Sequence, residues 1–175
     1  LCTAHLGNWH IMGQRLVDQG FPINNIVKKQ RNPFVFNTEV KGMEKVGMKV
    51  TILQKTPKNI LRAIKSGDIV EFLIDQDAGP DGIFIDFFGE QASTAQGPAL
   101  FGSKMNAPII FALDVRRKNN KHTVYLENVE YNTSLITEQS IKSIMQYLTK
   151  RLQDYIIKYP EQYFWLHKRW LTKKK

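Results

Sequence analysis

Residues 69–74 form an almost continuous apolar run that stops abruptly at Asp75-Gln76-Asp77. A strand of that composition is at home where both faces are covered, as in a parallel sheet layered between helices. The rest of the chain alternates to match. Residues 1–4 read as a strand entering a helix at about 8–19, stopped by Gly20 and Pro22. Residues 23–28 are strand-like, a helix over roughly 34–45 follows Pro33, and 48–53 are strand-like again. Thr56 as N-cap, Pro57 at the first helical position, apolar Ile60, Leu61 and Ile64, and Gly67 past the end define the next helix. A helix over 96–105 leads into a strand at 109–113, and the open alternation of 123–129 suits a sheet edge. Ile141, Ile144, Met145, Leu148, Leu152, Tyr155, Ile156 and Tyr159 then recur at helical spacing up to Pro160, as a stripe facing the core. The expectation is an α/β fold in which helices flank a central, mostly parallel sheet, and 175 residues suffice for a single domain.

In such sheets ligands collect beyond the carboxyl ends of the strands. Two polar sets fall there. One is His5-Leu6-Gly7-Asn8-Trp9-His10, where a histidine at a strand-to-helix corner can take a proton from a substrate hydroxyl. The same turn also reads as an ordinary corner with a buried histidine. The other set is Asp75-Gln76-Asp77-Ala78-Gly79. Carboxylates abutting a buried strand are costly unless paired or at work; Asp77 reads as a turn cap, and Asp75 and Gln76 as lining a site. Phe84, Phe87 and Phe88 suit the wall of an apolar pocket, with Gly89 and Gly97 allowing close backbone approach, and Ser93 or Thr94 reads as an N-cap.

Composition removes several classes. The single cysteine, Cys2, lies in an apolar stretch, so a disulfide framework is excluded and the thiol belongs in the core. A net charge of +9 favours an anionic partner: nucleic acid, acidic lipid or an acidic carrier protein. The aromatics cluster with apolar residues rather than among the basic ones, which argues against nucleic acid. No apolar run approaches the roughly 20 residues of a membrane span. The chain starts without methionine in what reads as mid-strand, so a preceding portion with a membrane anchor is expected. His5, His10, Asp75 and Asp77 are also competent metal ligands, but histidines five apart pair poorly on a helix.

The order of segments says more than any one of them. Residues 4–9, Lys29-Gln30-Arg31-Asn32-Pro33, residues 75–79, Phe87-Phe88-Gly89 with Ala92 and Thr94, and the stretch from Pro160 through Trp165, His167 and Arg169 to Trp170 together resemble the lipid A late acyltransferases of Gram-negative bacteria. The resemblance implies a glycerolipid-acyltransferase-like fold at the cytoplasmic face of the inner membrane. It implies transfer of a fatty acyl chain from acyl carrier protein to a hydroxyl of a lipid A precursor or a related glycolipid or amino lipid, with no metal or cofactor. His5 matches the family's histidine base, and Arg31 a basic position that contacts phosphate or the oxyanion. Asn8, Gln76, Phe88 and Gly89 fall in the substrate-binding stretches. His10 departs from the family, which carries a carboxylate there. Asp75 or Asp77 can supply the missing group, His10 can serve in a weakened relay, or the chain is a lipid-binding homologue that no longer catalyses. Trp165, Trp170 and the terminal lysines suit either a membrane interface or a helix packed on the domain.

Overall fold

Strands and helices alternate as the sequence implies. The structure, a computed structural model, describes residues 1–53, 57–131 and 136–174. The chain divides into two units: His10–Phe72, and Leu1–Trp9 together with Leu73–Lys175.

The first of these holds α1 (Trp9–Asp18), β2 (Ile23–Val27), α2 (Pro33–Lys45), β3 (Lys49–Ile52), α3 (Lys58–Lys65) and β4 (Ile69–Leu73), with β1 (Cys2–Thr3) preceding it in the chain. β2 pairs in parallel with both β3 and β4. Helix ends follow local chemistry: the Asn32 side chain accepts from the Phe34 and Val35 amides with Pro33 at the first helical position, and Gly67 turns past α3 at φ +83°. Thr56, the expected cap of α3, lies outside the described residues. Met12, Ile23, Phe36, Met43, Met48, Ile60, Ala63 and Val70 are buried. So is Glu71, the one charged residue of the apolar run. Its carboxylate oxygens have no hydrogen-bond partner, and burial pushes its pKa from the usual 4.5 up to about 7. Asn25 sits directly across the ladder from it.

The second unit contains β1, β5 (Ile83–Phe87), β6 (Glu90–Thr94), α4 (Gly97–Met105), β7 (Ile109–Arg116), β8 (His122–Val129) and α5 (Glu138–Lys158). β1 pairs in parallel with β7, and β7 in antiparallel with β8. The α5 stripe is the core: Ile141, Ile144, Met145, Leu148, Leu152 and Ile156 pack with Cys2, Leu6, Phe87, Phe111 and Leu113, while Tyr155 and Tyr159 lie at its margin. A capping box between Thr137 and Ser140 opens α5.

Three expectations need correction. Ser93 and Thr94 are not helix caps: they lie in β6, which forms a hairpin with β5. The turn consists of Phe88 (φ 56°) and Gly89 (φ 84°), the paired positive φ that a two-residue turn requires. β7 runs on past Leu113 to Arg116, carrying a buried Asp114. Beyond α5 the described residues form no further α-helix, only a short 3-10 turn at Pro160–Gln162 and an irregular strap after it.

Candidate active site

The corner after β1 is fixed by backbone contacts. Gly7 adopts φ +67°, and a Cβ there would lie 1.9 Å from the Asp114 carbonyl oxygen, so only glycine fits. The Gly7 amide donates to the Gln162 carbonyl (2.9 Å) and the Asn8 amide to Asp114 Oδ2 (3.0 Å). Both backbone donors at this corner are therefore already committed. Asp114 also accepts from His122 Nδ1 at 2.7 Å. The strap runs beside the corner, with the Phe164 amide donating to the His5 carbonyl at 2.9 Å.

His5 and Asp75 meet here. The Ile74 amide donates to the Thr3 carbonyl at 3.0 Å. The Asp75 carboxylate then spans His5: Oδ2 accepts from its backbone amide (3.0 Å) and Oδ1 from its ring Nδ1 (2.9 Å). A carboxylate can only accept, so Nδ1 carries the proton of this bond, and Nε2 is the ring nitrogen that Asp75 leaves free. The His5 side chain is 25% exposed against 2% for Asp75. Nε2 is 3.5 Å from Gln76 Nε2. A cavity of about 510 Å³ opens here, lined by His5, Gly7, Trp9, Gln76 and residues 161–164. The His5 ring is neither sealed in nor starved of apolar surface: Trp9 meets it edge-on at 6.3 Å and Phe164 at 6.0 Å.

The strap grips the loop after Asp75. The Tyr163 hydroxyl hydrogen-bonds Asp75; burial, first, and that carboxylate raise the phenol's pKa. Arg169, 3% exposed, donates to the Gln76 and Ser93 carbonyls and to Thr94 Oγ1, and lies over the Phe87 ring. Asp77 is the turn cap expected of it, accepting from the Gly79 amide and from the Thr172 amide and hydroxyl. Burial alone would raise its pKa; these bonds outweigh that and hold it below the usual carboxylate range. The Asp77 amide donates to His167 Nε2 at 2.7 Å, and burial lowers the pKa of that imidazole. Tyr163, Arg169, His167 and Thr172 had no signal in periodicity or spacing, because their partners are 75–95 positions away. The resemblance had singled out the stretch of Tyr163, His167 and Arg169, which ends at Trp170 and leaves Thr172 outside.

Comparison with known proteins follows the same line. The family model for bacterial lipid A biosynthesis acyltransferases matches residues 1–172. The chain belongs to this family. A lipid A biosynthesis acyltransferase of Haemophilus influenzae is 25% identical over 85% of this chain and 46% of its own length. A lipid A biosynthesis lauroyltransferase of Escherichia coli is 27% identical over 69% of this chain and 39% of its own. A phosphatidylinositol mannoside acyltransferase of Mycobacterium tuberculosis is 23% identical over 63% and 36%. The chain thus spans less than half the length of each of these relatives.

Within this lipid A acyltransferase family member, the expected site residues divide as follows. His5, Asp75 and Gln76 come together. His10 is exposed in the first turn of α1, and the carboxylate bonded to His5 is Asp75, not Asp77. The Asn8 backbone builds the corner. Arg31 is exposed, one residue before the α2 cap. Phe88 and Gly89 form the exposed hairpin turn and do not line the cavity, while Phe87 is buried in the core. Among the described residues no three His, Cys, Asp or Glu side chains converge as a metal site requires, so the alternative set of His5, His10, Asp75 and Asp77 is not assembled.

Proposed function

We propose that the protein transfers a fatty acyl chain from the thioester of an acyl carrier protein to a hydroxyl of a lipid A precursor or related glycolipid, with His5 as general base. One observation carries this reading: Asp75 holds the Nδ1–H of His5, so that a basic Nε2 faces the cavity. Nε2 takes the acceptor's hydroxyl proton as its oxygen attacks the thioester carbon. Asp75 stabilises the imidazolium that forms. The tetrahedral intermediate collapses with cleavage of the C–S bond, and the imidazolium returns the proton to the leaving thiolate, giving ester and free thiol. Because the Gly7 and Asn8 amides are engaged, the Gln76 amide is the side-chain donor best placed to meet the oxyanion. The reaction belongs at the cytoplasmic face of the inner membrane, where both substrates meet. Among the described residues no helix is long and apolar enough to cross a membrane.

The test is full-length protein in membranes, supplied with acyl carrier protein loaded with chains of several lengths and read by lipid mass spectrometry. Wild type should yield an acylated glycolipid and His5→Ala should not; identical lipids from both would refute the assignment.

A further inference from the structure

The strap after α5 has two faces of opposite character. Tyr163, Arg169 and Thr172 point inward and hold the loop after Asp75, and the half-buried Trp170 packs on Phe87 at 5.5 Å, so it is unavailable to a membrane. The outward side chains are apolar. Leu166 is 87% exposed, Leu171 66%, Trp165 53% and Phe164 44%. Lys168 and Lys174 stand exposed among them, while Lys173 pairs with Glu90. From Phe164 to Lys174 the sequence contains no acidic residue.

We propose that Phe164, Trp165, Leu166 and Leu171, with Lys168 and Lys174, form a docking surface for an anionic lipid bilayer and present the His5 cavity to the headgroup layer. The proposal rests on the acyl-transfer reading in taking the acceptor to be a lipid, and it adds where the protein meets that lipid. Aromatic and aliphatic tips flanked by lysine are the chemistry favoured at the boundary of headgroups and acyl chains. The lysines alone would suit an acidic protein, whereas exposed Leu166, Leu171, Trp165 and Phe164 call for an apolar phase beside the anionic one. The surface is also held ready. The Trp165 indole donates to the Pro160 carbonyl at 2.7 Å and stands edge-on to Tyr163, so its ring is fixed outward before any lipid arrives. Phe164 belongs to both places, lining the cavity and facing out. Insertion of this edge would set the cavity mouth at headgroup depth.

The test places an environment-sensitive dye on Leu166→Cys in the full-length protein; Cys2 is fully buried and does not compete for label. Reading the dye reports insertion at this position, to which attachment by other parts of the chain does not contribute. With vesicles of equal parts phosphatidylglycerol and phosphatidylcholine, the emission should shift to the blue and be quenched by lipids brominated at mid-chain, less so at high salt. Leu166→Glu should lower acylation of vesicle-borne acceptor about tenfold and leave turnover of acceptor dispersed in detergent unchanged. A dye that stays equally open to iodide with and without vesicles overturns the proposal, as does protection by acyl carrier protein in place of vesicles. Insertion of the dye in a protein whose wild type transfers no acyl chain would uphold the docking surface and refute the transferase reading.

Discussion

Glu71 offers the most quantitative check on the physical reading of this chain. Its carboxylate is fully buried in β4 with both oxygens unpartnered, and its pKa is raised from 4.5 to about 7. The native state therefore binds the proton more tightly than the unfolded chain does. The stability from Glu71 is fully present below about pH 4.5 and is lost as pH rises through about 7, above which the deficit is constant. A separation of that size corresponds to about 3 kcal/mol, a sizeable share of the roughly 5–15 kcal/mol that holds a domain together. Glu71→Gln removes the ionisation while keeping the shape, and Asn25 Oδ1, unpartnered across the ladder, can accept from the new amide. Urea unfolding of wild type and Glu71→Gln should give nearly equal stabilities at about pH 4.5 and a variant ahead by about 3 kcal/mol at about pH 8. Hydrogen exchange of the β2 and β4 amides should show the gain locally. Parallel pH curves for the two proteins would refute the reasoning, since they would mean that Glu71 ionises as readily folded as unfolded.

Two further predictions concern the corner. Asp75→Asn places an amide against His5 Nδ1 that can donate to it and force the proton onto Nε2. Acyl transfer should fall on the order of 10³- to 10⁴-fold in kcat with KM little changed, measured by steady-state kinetics, and a loss under tenfold would remove Asp75 from the mechanism. Gly7→Ala puts a methyl 1.9 Å from the Asp114 carbonyl oxygen in a positive-φ position. It should cost about 2–4 kcal/mol of stability by urea denaturation, and a cost under about 1 kcal/mol would show that the corner readily rearranges.

What the sequence made legible is what short-range chemistry controls. α1 and α2 fall within a residue of their expected positions and α5 ends where Pro160 stops it, because amphipathic spacing, Asn32 and Pro160 act locally. The β5–β6 hairpin was hidden by its turn: Phe88 has no preference for positive φ, and a Phe-Gly pair carries none of the usual hairpin signal. Asp114 looked like the end of a strand because a carboxylate in a buried strand is costly. It is tolerated there because His122 and the Asn8 amide bond it. Glu71 vanished into its apolar surroundings in the same way, though without such partners. At the site, His5 was visible in its motif, but the choice of Asp75 over Asp77 depends on a contact between residues 70 positions apart. The strap contacts lie beyond any local rule.

Position 10 is where the two kinds of information bear on each other. The resemblance expects a carboxylate there, and on local grounds its replacement by histidine weakens the base. The fold answers from a different strand. His5 Nδ1 has one proton to give, and Asp75 already takes it while also binding the His5 amide, so ring and backbone are held together. On the proposed mechanism a carboxylate at position 10 could not orient that nitrogen; it could act only through charge. We propose that Asp75 takes the orienting role that the resemblance gives to position 10; acyl transfer unimpaired in Asp75→Asn would refute it.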